Sequence, residues 1–297
     1  MSGRKVLKAA SRKKRNAYLF ILPLLFLVLF VIFGPLLFLY WTSFMYWPYN
    51  KPWITPTLVG VDNYIQILSN PVWGYLHSLQ VSLLFIVFAV PIEFVLGLLL
   101  ALLFIRPFRG KGLVMTIMIV PMVIMPIVAG FMFLLLYYPV RGWLMYYASL
   151  IIHQFAEVQL LADPDLALFS IAMADVWEWT PFIFLVILAG LSALPPEPFE
   201  AARVDGASYW TTFRRITFPM LRFPIMVGLL IRIADSFKLF DLVWVMTQGG
   251  PGVVTQDITV WIYQQAFIWW NLGLASAGAV ILSWILTFFA IAYVRYM

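Results

Sequence analysis

The chain contains no cysteine, little charge and only two histidines. Without a thiol there is no disulfide, no thiolate metal site and no cysteine nucleophile, so stability and chemistry rest on other groups. His77 and His153 stand far apart, read as ordinary surface residues and belong to no metal-ligand spacing. No Gly-x-x-x-x-Gly-Lys-Ser/Thr pattern occurs, since Gly110-Lys111-Gly112 lacks the earlier glycine, and a phosphate-cradling loop is therefore excluded. No motif supports a Ser-His-Asp hydrolase either. Charged residues make up 11% of the 297 positions and hydrophobic ones 64%, against roughly 25% and 45–50% in soluble domains. A water-soluble core cannot hide that much apolar surface.

What is present is apolar sequence in long runs. Between Arg15 and Lys51 lie 35 positions without a charge, where a helix crossing a bilayer needs about 20. Charge-free stretches place six spans near 17–42, 78–105, 113–138, 167–192, 220–246 and 272–294, and so an all-α integral membrane protein with a basic tail over 1–16 and a membrane domain over 17–297. The first run is too long for a secretory signal and passes Pro23 and Pro35 before Tyr40-Trp41-Thr42, so it reads as a retained, kinked span. Pro91, Pro121, Pro126 and Pro181 also fall at membrane depth, where neighbouring helices satisfy the carbonyls a proline frees.

The net charge of +6 is not a nucleic-acid footprint, because seven of the 19 Lys and Arg crowd the first fifteen residues, against the first span. With the N-terminus inside, the tail, 106–111, 193–223 and Arg295 together hold fifteen basic residues, and the outer loops hold only Lys51 and Arg141. Basic residues concentrate on the cytoplasmic side, so both termini are expected there. Trp47, Trp53, Trp269 and Trp270 then fall near the outer boundary as interfacial anchors.

The inner loop 193–223 is patterned. Glu197-Pro198 and Glu200 suit the first turn of a short helix, Asp205-Gly206 supplies its left-handed stop, and Ser208 caps a second helix running through Trp210, Phe213 and Ile216. Glu200-Ala201-Ala202, Asp205-Gly206-Ala207 and Ile216-Thr217-Phe218-Pro219 resemble, in order and spacing, the EAA motif of binding-protein-dependent ABC importer permeases. Phe218 stands where leucine is usual. Val176-Trp177-Glu178-Trp179-Thr180-Pro181-Phe182, Phe237-Lys238-Leu239-Phe240-Asp241, Thr247-Gln248-Gly249-Gly250-Pro251-Gly252 and Ile262-Tyr263-Gln264-Gln265-Ala266-Phe267 are similar to the carbohydrate-uptake branch of that family. Arg141-Gly142-Trp143-Leu144-Met145-Tyr146 departs from it, which bears on the outer loop 139–165.

The resemblance implies a six-helix type I importer permease in a bacterial inner membrane, paired with a second, homologous permease, two ATP-binding subunits and an extracytoplasmic solute-binding protein. It implies that Glu200, Ala201, Ala202, Asp205, Gly206 and Ala207 dock on an ATPase subunit, that ATP and Mg are used by that partner, and that this chain, in contact with lipid, binds no cofactor and catalyses nothing.

Ionisable residues at membrane depth cost on the order of 2.5–3.5 kcal/mol each and face a bundle interior or water. Glu93, Asp175, Glu178, Arg232 and Asp235 are of this kind. At 1.5 Å per residue, Glu178 and Asp235 fall at a similar depth, roughly 17 Å from the outer surface, and can share one cavity. One reading pairs Arg232 with Asp235 and Lys238 with Asp241 along a single helix. The other has Asp235 and Glu178 accepting sugar hydroxyls while Trp177, Trp179 or Trp244 stacks on a pyranose face. Acidic groups outnumber basic ones in this set, which favours a neutral sugar over glycerol phosphate; glycerol-phosphate or polyol uptake by the same architecture is the alternative. A channel or membrane scaffold would need no docking loop.

Overall fold

In the computed structural model the described residues are all but 1–2, 49, 52–53, 70–73, 140 and 154–157, with only the backbone described over 3–19. Trp53 and the side chains of the seven basic tail residues lie outside that set. The chain divides into two compact units, residues 1–66 with 265–281, and 67–264 with 282–297.

In the first unit, α1 (Gly3–Ser43) is one continuous helix through Pro23 and Pro35, and the backbone of the basic tail from Gly3 onward belongs to it. Its apolar residues are exposed on every face, Phe20 to 86%. A helix apolar all round has lipid or another subunit as its solvent. A short antiparallel pair, β1 (Met45–Tyr46) and β2 (Thr57–Leu58), follows with Met45 opposite Leu58, and then α2 (Asp62–Ser69). Asn63 is buried and donates from Nδ2 to the Ser43 and Met45 carbonyls at 2.8 and 2.9 Å. Thr42 Oγ1 donates to Ser276 Oγ at 2.8 Å, and the Leu272 amide to the Trp47 carbonyl at 3.1 Å. Trp269 and Trp270 are exposed as anchors should be, whereas Trp47 packs edge-on against Trp41.

The second unit is organised by α3 (Tyr75–Phe104) and α7 (Ala167–Ser192), packed along their length. Gly97 permits this approach, since a Cβ there would stand 2.9 Å from the Phe184 amide. Ala101, Phe104, Ile183, Phe184, Ile187 and Leu191 fill the contact, with Leu221 and Ile225 added from the following helices. Of the expected spans, the first, second, fourth and sixth are continuous helices, the last being α14 (Leu272–Tyr296).

The other two are not. The third is broken into α4 (Lys111–Val123) and α5 (Pro126–Leu136), bent by 96°. Pro126 forces Met125 out of the helical region, to ψ 136°, and Pro121 removes a donor from the last turn before the break. The short helix α6 (Trp143–Ile151) comes next. The fifth expected span is several pieces. Beyond α8 (Glu197–Val204), α9 (Tyr209–Thr212), a π-helical turn over 213–217 and α10 (Phe218–Met220) lead to α11 (Arg222–Ser236), bent by 62° from the run before it. After α11 the ladder stops: Ser236 Oγ donates to the Arg232 carbonyl at 2.8 Å and the Lys238 amide turns back to the Asp235 carbonyl at 2.7 Å. Then come α12 (Phe240–Met246), packed on α5, and α13 (Ile258–Tyr263), continued by a π-helical turn over 264–268. The span count is thus four, or six if each bent pair crosses once.

Candidate functional site

Apolar helices can carry a charge inward only if a partner meets it there. Arg232, on α11 and 1% exposed, is met from two other helices. Its Nε donates to Glu93 Oε2 at 2.6 Å and its Nη2 to Glu93 Oε1 at 2.9 Å, a bidentate fork onto α3. Nη2 also donates to Asp175 Oδ2 on α7. Asp235, three residues along α11, stands 3.8 Å from Nη1, beyond hydrogen-bond distance. The expected local pair of Arg232 with Asp235 is therefore secondary to a clamp joining three helices. Lys238 and Asp241 form no ion pair at all, although both are described. The sequence pointed to Glu93 and Asp175 as costly charges without assigning them to Arg232.

Beside the clamp is a cavity of about 240 Å³ lined by Asp175, Trp179, Arg232, Asp235, Lys238 and Asp241 among others. The Trp179 ring lies under the guanidinium, 5.2 Å from centroid to Cζ. Of the pathway residues singled out from sequence, Asp235 and Trp179 meet here and the other three do not line this cavity. Trp177 packs edge-on against Phe133. Trp244 is stacked on Phe240 at 5.7 Å and touches Tyr263 at 4.7 Å, so its ring is occupied by its own neighbours. Glu178 is 1% exposed, and its Oε2 has no hydrogen-bond partner among the described residues. Lys238 and Asp241, which sequence reasoning treated as a structural pair, contribute a donor and an acceptor to the wall instead.

Asp257 caps α13, accepting from the Thr259 and Val260 amides and the Thr259 hydroxyl, while burial pushes its carboxyl up to about 6. His77 is half-buried on α3 against the Val253 carbonyl at 3.2 Å, and so is not the surface residue expected; His153 is exposed. No cluster of metal-ligating side chains occurs among the described residues.

At the opposite end of α7 the chain makes the helix, turn and second helix expected of 193–223. The Ala207 amide bonds to the Ala202 carbonyl at 2.9 Å and the Gly206 amide to the Arg203 carbonyl at 3.1 Å, closing α8 with Gly206 at φ 68°. That double closure is the Schellman stop. Ser208 Oγ accepts from the Thr211 amide at 3.3 Å to cap α9. Ala202 faces inward, whereas Glu200, Ala201, Asp205 and Gly206 are exposed and Ala207 half-exposed. Val204 is 88% exposed at the end of α8. A groove of about 490 Å³, lined by Arg106, Leu191, Phe199, Arg203, Tyr209 and Phe213 among others, runs beside it.

Helices long and apolar enough to cross a membrane, set around a buried, charged cavity and followed by a short exposed helix, define a transport subunit. The chain belongs to the family described as binding-protein-dependent transport system inner membrane component, whose model matches residues 93–297. It is 35% identical over 300 residues to the trehalose/maltose transport system permease protein MalF of Thermococcus litoralis, covering 97% of this chain and 95% of that one. It is 34% identical to the trehalose transport system permease protein SugA of Mycobacterium tuberculosis over 91% of this chain and 84% of that one. It is 32% identical to the sn-glycerol-3-phosphate transport system permease protein UgpA of Agrobacterium fabrum over 80% and 84%. The fold matches a chain in the crystal structure of a bacterial ABC transporter that imports alginate, with a TM-score of 0.81 at 20% identity, covering 98% and 97% of the two chains.

Proposed function

We propose that this chain is the subunit through which a sugar or oligosaccharide crosses the inner membrane, working with a second permease, two ATP-binding subunits and an extracytoplasmic binding protein. The observation that carries the substrate class is the cavity wall. Asp235 and Asp241 offer acceptors, Lys238 offers donors and Trp179 offers an aromatic platform, the combination that vicinal hydroxyls on a pyranose require. Its likeness to permeases named for trehalose and maltose transport supports the same reading.

Relatives named for sn-glycerol-3-phosphate transport raise a second reading. A phosphate needs unpaired cations. Here the Arg232 fork is taken by Glu93 and Asp175, and Lys238, the one cation left without an ion pair among the described lining residues, shares the cavity wall with the acids Asp175, Asp235 and Asp241, which would repel a phosphate. The neutral sugar is the better match.

Coupling is assigned to Glu200, Ala201, Ala202, Asp205, Gly206 and Ala207. The exposure of α8 and the fixed geometry of its stop support a helix-in-groove contact with the ATPase subunit. ATP and Mg then belong to that partner, and both termini lie in the cytoplasm.

Uptake measured in vesicles holding the assembled importer and internal ATP tests the reading. Labelled trehalose and maltose should accumulate and glycerol phosphate should not. Asp235→Asn and Trp179→Ala should each weaken sugar uptake by about tenfold, the equivalent of one charge-assisted hydrogen bond or aromatic contact, while ATP hydrolysis without binding protein stays near wild type. Accumulation of glycerol phosphate alone would replace the sugar reading with the phosphate one.

A further inference from the structure

Two atoms at and beside the clamp are unmatched. Nη1 of Arg232, next to the cavity, makes no hydrogen bond among the described residues and stands 3.8 Å from Asp235. Glu178 Oε2 is a buried acceptor with no partner among the described residues. A buried polar group without a partner is rare and costly, and calls for a reason. Glu178 follows Asp175 by three residues on α7, which places both carboxylates on one helical face. The face of α7 that holds Arg232 thus has one seat occupied, by Asp175, and a second seat empty one turn further along.

α11 is bounded by the 62° bend at its start and by the broken ladder after Ser236. Its contact with α7 is built on glycine: Gly228 faces Val186, where an added Cβ would come within 3.0 Å of a methyl, and Gly190 faces the Pro224 ring. At these two points the helices meet without interdigitating side chains, while Leu221 and Ile225 pack on Ile187 and Leu191 nearer the start of α11, and shear between packed helices is a known form of domain movement. The bend that begins α11 also joins it, through α9 and α10, to the exposed helix α8.

We propose that Asp175 and Glu178 are alternative seats for the Arg232 guanidinium, and that α11 moves along α7 between them during transport, making Glu178 a positioning residue of the cycle. Moving from one seat to the other takes three residues of rise, about 4.5 Å, toward the end of α7 that carries Ser192. The guanidinium travels with α11, the flexible Glu93 side chain follows to keep its fork, Nη1 gains Glu178, and Asp175 is released to the cavity. The inference rests on the permease reading above.

The absence of cysteine makes the test direct. Cysteines at Met173 and Phe223, both exposed and far apart along the axis of α7, are spin-labelled in the complete importer in nanodiscs, and their separation is measured at rest and in the vanadate-trapped state. In the parent protein the distance should lengthen by about 4.5 Å, three residues of rise. Glu178→Gln should keep the resting distance, lose the shift and lower uptake about tenfold. Asp175→Asn should bring the second distance into the resting state. A full shift with normal uptake in Glu178→Gln would overturn the proposal and leave Glu178 a protonated core acid. An unchanged resting distance in Asp175→Asn would overturn it equally, and decides the matter if the glutamine variant does not assemble. Failure of the permease reading would look different: trapping would still move the labels, but no sugar would accumulate.

Discussion

At the scale of single residues, the guanidinium of Arg232 holds this protein's most expensive arrangement. Two carboxylates and an arginine withdrawn from water pay back their desolvation only through close, directed contacts, and the fork onto Glu93 provides them. Removing one partner is therefore worse than never having built the set. Arg232→Ala leaves Glu93 and Asp175 buried with no counter-charge and should cost about 3–5 kcal/mol, seen as a fall in the thermal transition and in the yield of assembled complex. Arg232→Lys keeps the charge but not the planar fork, so it should recover only part of the loss. Recovery to wild-type stability in the lysine variant would show that charge alone holds α3 to α11. The clamp also shows what a single sequence conveys about a site. Glu93 and Arg232 stand out as charges in apolar helices, and both fall at comparable depth when counted from the outer ends of their spans. The short spacing to Asp235 is nonetheless the more visible partner in one dimension, and helix-to-helix pairing outweighs it because only a partner on another helix can present both carboxylate oxygens to the fork.

Helices and turns were legible to different degrees, for physical reasons. The fourth span lies at 167–192 in both readings, because its apolar run has clear ends and Pro181 is accommodated without a break. The 193–223 segment was also legible, since Pro198, Asp205-Gly206 and Ser208 carry local rules that tertiary contacts do not override. The breaks in the third and fifth spans were hidden, since hydropathy averages over a window and registers neither the turn at Met125 nor the stop after Ser236. Of the legible features, the Gly206 stop makes the sharpest prediction. No atom lies within 4 Å of where its Cβ would sit, so a side chain meets only the positive-φ penalty, about 1–2 kcal/mol for a left-handed residue. Gly206→Val should relax the turn and swing α8, reducing binding-protein-stimulated ATP hydrolysis and uptake together, whereas Gly206→Asn, which tolerates that φ, should retain both. Glu200→Lys should reproduce the loss with the turn intact, because it reverses a charge on the exposed face of α8. Equal activity of Gly206→Val and Gly206→Asn would separate the turn from coupling.

At the scale of the whole molecule, exposure has to be read against lipid. Phe20, Leu24 and Leu37 on α1, and Phe288 and Ile291 on α14, are exposed apolar side chains that no water-soluble surface would carry in such runs. The bilayer fixes which loops meet which compartment, and the direction proposed from the skew of lysine and arginine puts 193–223 inside and 43–77 outside. Two exposed positions with no structural duty report it. Leu58 ends β2, and Val204 ends α8. Asn63, the obvious polar choice in the outer segment, would be a poor reporter, because it is buried and holds the Ser43 and Met45 carbonyls. In a chain with no cysteine of its own, Leu58→Cys should react with an impermeant thiol reagent added to intact cells, and Val204→Cys should react only once the membrane is opened. Reaction at Val204→Cys from outside would invert the topology. It would place the α8 face beyond reach of any cytoplasmic ATPase, and the coupling assignment would fall with it, while the family membership and the clamp would stand.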